Sequence, residues 1–113
     1  MSVEIVVADT ADVVRITGSI DAKTAPEIGL ALQPALGGTR DVVVDFAGVG
    51  YVSSAGLRLL LVIYRKLQAE SRRLVLAAVK DDIIQVMSHT GFLPFFTVAA
   101  NESDALATLS ESR

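Results

Sequence analysis

Asp45-Phe46-Ala47-Gly48-Val49-Gly50-Tyr51-Val52-Ser53-Ser54-Ala55-Gly56-Leu57 joins the end of an apolar strand to the start of a strongly apolar helix. The join is a short turn carrying Gly48 and Gly50. A strand that passes directly into a helix is the repeating unit of layered α/β domains, in which helices connect parallel strands. The two serines fall at the helix start, where backbone N–H groups lack helical partners and the helix dipole is positive. A serine there can act as a cap, worth about 1 kcal/mol. It can also present a hydroxyl where free N–H donors and the dipole favour an added phosphate. Ser53 suits the cap, and Ser54 then falls in the first turn with its hydroxyl near solvent.

Working outward from that stretch, Val42-Val43-Val44 shows no alternation, the mark of a strand buried on both faces. Upstream, Val3 to Val7 and Val13 to Thr17 read as strands joined by Asp9-Thr10-Ala11-Asp12, an N-terminal hairpin. Thr24-Ala25-Pro26-Glu27 has the form of a capping box with proline in the first turn, and Ile28, Ala31 and Leu32 continue it. Pro34 and Gly37-Gly38 keep that helix short. Downstream, a helix is expected from about Ser54 to Glu70, then an interior strand from Leu74 to Ala78. Asp81 or Asp82 caps a further helix carrying Ile83, Ile84 and Met87, which stops near Gly91. Phe95 to Val98 is expected as the last strand, and Asn101-Glu102-Ser103-Asp104 opens a final helix with Ala105, Leu106 and Leu109. The order predicts a single α/β domain over residues 1–113: a mixed sheet of about four to five strands with a largely parallel core, an N-terminal hairpin, and about four to five helices.

In the helix after the serines, Leu57, Leu60, Leu61, Tyr64 and Leu67 follow the i, i+3, i+4, i+7 pattern and are expected to face the sheet. Leu59, Val62 and Ile63 are apolar as well, more than one stripe needs. Val62 lies one turn from Arg58 and one turn from Lys66, on the wetter side. Two readings stand: a contact surface for a partner, or a helix wrapped by neighbouring loops.

Composition narrows the chemistry. An apolar fraction of 51% in 113 residues supports one compact domain without a disulfide or metal staple. The absence of cysteine removes disulfides, thiolate zinc sites and cysteine nucleophiles, and agrees with a reducing compartment. Met1-Ser2-Val3-Glu4 lacks the basic start and apolar run of a signal peptide, and Leu59 to Tyr64 is too short to span a bilayer. A cytoplasmic protein without membrane insertion is expected, a monomer or weak dimer. With net charge −3, interspersed signs and few aromatics, direct DNA or RNA binding is not expected. The single histidine, His89 in Ser88-His89-Thr90-Gly91, reads as a surface residue at a helix end. No G-x-S-x-G elbow surrounds either serine, and no Walker-type Gly-Lys-Ser/Thr occurs. Gly48-Val49-Gly50-Tyr51-Val52-Ser53 imitates half of a dinucleotide fingerprint but lacks the third glycine, so nucleotide binding is a minor alternative. A non-enzymatic protein without cofactor or metal is expected.

The chain resembles a stand-alone STAS domain of the bacterial anti-sigma factor antagonist type over nearly its full length. Val14-Arg15-Ile16-Thr17-Gly18-Ser19-Ile20-Asp21 resembles the family's second strand and the turn ending in an aspartate. Thr24-Ala25-Pro26-Glu27 resembles its first helix start, Asp45 to Leu57 its signature loop, and Thr90-Gly91-Phe92 the end of its fourth helical segment. The resemblance implies partner switching. The unmodified protein binds an anti-sigma factor that is also a serine kinase of the histidine-kinase-like ATPase class, and so frees the sigma factor. Phosphorylation at the helix start dissolves the complex, and a PP2C-type phosphatase restores it. Carried over, the acceptor falls on Ser54, with Ser53 as second candidate. The partner-facing surface falls on Asp21, Ser53, Ser54, Ala55, Gly56, Arg58, Leu59 and Val62. For Asp21 alone, a plain turn or cap role stands beside the partner-facing one. Relatives often carry an acidic residue before the acceptor; this chain has Ser53, which keeps a capping oxygen without the charge, and Ala55 where many have a hydroxyl. A scaffold or adaptor STAS domain in another signalling or transporter assembly is the alternative.

Overall fold

The computed structural model describes residues 1–111. Five strands lie side by side in the order of the chain: β1 (Ser2–Val7), β2 (Ala11–Thr17), β3 (Asp41–Gly48), β4 (Leu74–Ala77) and β5 (Thr97–Ala99). β1 runs antiparallel to β2, and every later pair is parallel. The helices are α1 (Ala25–Ala31), α2 (Gln33–Leu36), α3 (Ser54–Ala69), α4 (Asp81–His89) and α5 (Glu102–Glu111), with a 3-10 turn at Leu93–Phe95. The mixed sheet, the hairpin and the helix count match the sequence expectation.

When parallel strands are added in one direction, right-handed crossovers put all the connecting helices on one face. Here that face holds the main core. Val14, Ile16, Val42, Val44, Phe46 and Leu76 point toward Ile28, Leu32, Leu57, Leu60, Leu67 and Met87 from the connecting helices. The opposite parity of the same strands, Val13, Val43, Val75 and Ala77, packs under Ala105 and Leu109 of α5. Burial of consecutive residues of β3 on opposite faces is why its valine run shows no alternation. Among the described residues, no helix is long and apolar enough to cross a membrane.

Four local expectations change. Thr24 precedes α1 but does not cap it: its hydroxyl donates to the Ser19 carbonyl (2.8 Å), and the Thr24 and Lys23 N–H groups are taken by Asp21 Oδ1 instead. Lys80, not Asp81 or Asp82, occupies the cap position of α4, with both aspartates in the first turn where the dipole favours them. Residues 93–95 form the 3-10 turn around Pro94, so β5 begins only at Thr97. In α3 the buried apolar side chains are Leu57, Leu60, Ile63 and Leu67, with Leu61 and Tyr64 only half-buried.

Candidate functional site

The site forms where β2 and β3 run out of the sheet. Ile20 and Val52 meet in an isolated parallel bridge beyond the strand ends. The Ile20 N–H donates to the Tyr51 carbonyl, and the Ser53 N–H donates to the Ile20 carbonyl, both at 2.9 Å. The turn is braced from the neighbouring crossover as well: the Lys80 ammonium donates to the Ala47 and Val49 carbonyls at 2.8 and 3.0 Å. Val49 and Val52 fill the core beneath, which turns Tyr51 outward at 56% exposure. The serines thus leave the sheet from a fixed platform.

Ser53 sits in extended backbone (φ −85°, ψ 176°), and its Oγ accepts from the Gly56 N–H at 3.3 Å, as a cap does. Ser54 is the first residue of α3 and is exposed. Its hydroxyl makes no hydrogen bond among the described residues. With one serine engaged as the cap, the other is left with a free oxygen at the positive end of a 16-residue helix.

Beside them lies the Asp21–Thr24 turn. Asp21 Oδ1 accepts from the Lys23 and Thr24 N–H groups at 2.9 and 3.0 Å. The Thr24 N–H, against an opposing effect of burial, holds the Asp21 carboxyl below its ordinary range. Asp21 therefore fills the turn role, and its ionised group stays half exposed at the same end of the molecule as Ser54.

The remaining candidates divide. Arg58 is exposed, Val62 is 63% exposed, and Ala55 and Leu59 are half-buried. Gly56, expected on the contact surface, is buried and offers none. A Cβ at Gly56 would stand 2.4 Å from the Ile20 carbonyl oxygen, so its place is in packing α3 onto the platform. Tyr51 and the Lys80 brace were not singled out from the sequence. The signal for Tyr51 was its place between two valines that the core takes up; Lys80 meets the turn only through the tertiary fold.

Behind the site, on the α5 face, Arg15 holds three elements together. Its guanidinium donates to Glu102 through Nε (2.7 Å) and a second nitrogen (2.9 Å), and to Glu4 at 3.1 Å. Arg15 is the principal cause that lowers the Glu102 carboxyl to about 2. The Asp45 carboxyl, paired with Arg15 in the register of β2 and β3, is pushed up by burial and then by Glu102. A carboxylate held low in the folded state contributes stability above its unfolded value, ordinarily about 4.3 for Glu. That contribution is lost as pH falls through the folded value of about 2. Arg15→Gln is therefore expected to be less stable than wild type by a difference that is full above about pH 4.5 and vanishes toward pH 2. Urea unfolding at a series of pH values measures it; a difference that grows on acidification would contradict the assignment.

The family model of the STAS domain matches residues 2–105. An anti-sigma-B factor antagonist of Staphylococcus aureus is 30% identical over 92 residues, 80% of this chain and 85% of that protein. A Bordetella bronchiseptica protein named as an anti-sigma factor antagonist, BtrV, is 39% identical over 70 residues. That match covers 62% of this chain and 60% of BtrV, less than two thirds of its length. The crystal structure of an anti-sigma factor antagonist from Mycobacterium paratuberculosis is 25% identical and matches with a TM-score of 0.86, over 96% of this chain and 93% of that one.

Proposed function

The chain belongs to the STAS domain family of anti-sigma factor antagonists, and from that premise we propose that it works by partner switching at Ser54. Unmodified, it binds an anti-sigma factor that is also a serine kinase, through the exposed face that begins at Ser54 and continues over Arg58 and Val62. The kinase joins Ser54 Oγ to the γ-phosphorus of ATP. The bond from that phosphorus to the bridging oxygen breaks, ADP leaves, and the hydroxyl proton passes to the kinase. A PP2C-type phosphatase reverses the modification, with water supplying the oxygen that releases inorganic phosphate.

One observation carries this reading: Ser53 takes the cap, and Ser54 is left exposed with an unengaged hydroxyl at the tip of α3. A phosphate adds roughly −1.5 to −2 charge at that point. A partner docked over the neutral serine would have to accommodate that charge, and a penalty of about 1.4 kcal/mol is already tenfold in affinity.

Ser54→Ala is expected to stay folded, to incorporate no labelled phosphate from the kinase, and to hold the kinase constitutively. Incorporation at the wild-type level in that variant would move the acceptor elsewhere, Ser53 first. Ser54→Asp is expected to bind about tenfold more weakly than wild type, a loss of about 1.4 kcal/mol from a single carboxylate.

A further inference from the structure

Arg58 stands apart from most cations of this chain. Arg15, Arg40, Lys66, Arg72 and Arg73 each pair with a carboxylate, and Lys80 is held by two carbonyls. Arg58 is exposed and makes no hydrogen bond or ion pair among the described residues. It lies four residues after Ser54 on α3. At that spacing two side chains share a face, with Cβ atoms about 5–6 Å apart. Side chains on a helix lean in general toward its N-terminus, the direction that leads from Arg58 to Ser54. An acid that precedes a base by four residues is also the more favourable order on a helix.

We propose that Arg58 is the built-in counter-charge for a phosphate on Ser54, free in the unmodified chain and captured when that serine is modified. The inference rests on the reading of Ser54 as acceptor and deepens it. Modification then changes the docking face twice: an anion appears, and a cation available to a carboxylate of the partner is withdrawn. A guanidinium is suited to this because its planar fork meets two phosphate oxygens at once, which a lysine ammonium does not. A rival cation is Lys23, on the turn that follows the Ile20–Val52 bridge; that turn also carries the Asp21 carboxylate, and Glu27 follows in the first turn of α1.

The test uses the full chain with phosphoserine incorporated at position 54 during translation, so that no kinase is needed. Phosphorus NMR across a pH titration reads the second ionisation of the phosphate. In Arg58→Gln it is expected about half a unit or more higher than in the wild-type background, with Arg58→Lys between and Lys23→Gln unchanged. Agreement of wild type and Arg58→Gln within about a tenth of a unit overturns the proposal. A shift in Lys23→Gln but not in Arg58→Gln overturns it as well, and gives the role to the turn. The outcome is independent of whether a kinase uses Ser54, which the labelling of Ser54→Ala decides separately.

Discussion

Arg72→Met is expected to lower the free energy of unfolding by about 3 kcal/mol or more, seen as a lower urea midpoint at unchanged slope. Arg72 is only 5% exposed. Its guanidinium donates to the carbonyls of Ala35 (2.7 Å), Leu36 (2.9 Å) and Arg40 (2.7 Å), and to Glu70 at 2.8 Å. Two of these acceptors, Ala35 and Leu36, lie at the end of α2, and the third, Arg40, lies just before β3; the Ala35 carbonyl also accepts the Gly38 N–H at 3.2 Å. One side chain from the approach to β4 thus completes the hydrogen bonding of a short helix and ties it to the sheet. Methionine keeps the apolar stem and removes every donor. The Ala35 carbonyl keeps the Gly38 N–H, but the loss of four guanidinium bonds strands the Leu36 and Arg40 acceptors at about 1–3 kcal/mol each, less what relaxation or water recovers. Lysine places one ammonium where a fork is needed, so Arg72→Lys is expected to fall between wild type and Arg72→Met. A loss below about 1 kcal/mol for the methionine variant would mean that water replaces the guanidinium. Because Arg72 lies beyond the far end of α3 from Ser54, protein that remains folded is expected to bind its partner normally.

Arg72 also marks where sequence reasoning stops. A buried, fully bonded arginine looks in a sequence like any surface arginine, since burial of charge depends on partners far along the chain. What was legible was local or periodic. The unbroken Val42-Val43-Val44 run placed β3 in the interior, and the serine pair placed the start of α3 at the residue observed. The phase of α3 was not legible in full. With Leu59 to Ile63 all apolar, several stripes fit the same sequence. The stripe realised, with Ile63 inward, is set by Gly56 and Leu57 packing at the platform. The Thr24 box failed for a similar reason: Asp21, three residues earlier, takes the N–H groups and Thr24 turns back to Ser19. At the site, the cap and the exposed serine were readable, whereas the Lys80 brace and the seat of Gly56 arise from segments that meet only in the folded chain.

Gly56→Ala is expected to destabilise the protein by about 3 kcal/mol or more and to displace the start of α3. Propensity alone points the other way, because alanine in a helix interior is favoured over glycine by about 1 kcal/mol. The steric account decides the sign. An added Cβ would stand 2.4 Å from the Ile20 carbonyl oxygen and 2.9 Å from side-chain carbons of both Ile20 and Val52. The side chains can be trimmed, but the oxygen cannot. It accepts the Ser53 N–H at 2.9 Å, so moving it away breaks the bond that fixes the cap residue. The Val52→Ala and Gly56→Ala double variant is therefore expected to recover little of the loss, even though it removes one of the three close contacts. Two readouts separate stability from site geometry: the urea midpoint, and the rate at which the kinase labels Ser54 in the fraction that stays folded. Both are expected to fall in Gly56→Ala. A variant as stable as wild type would show that α3 can slide along the platform, and the rigid seating of Ser54 argued from Ile20 and Gly56 would have to be given up.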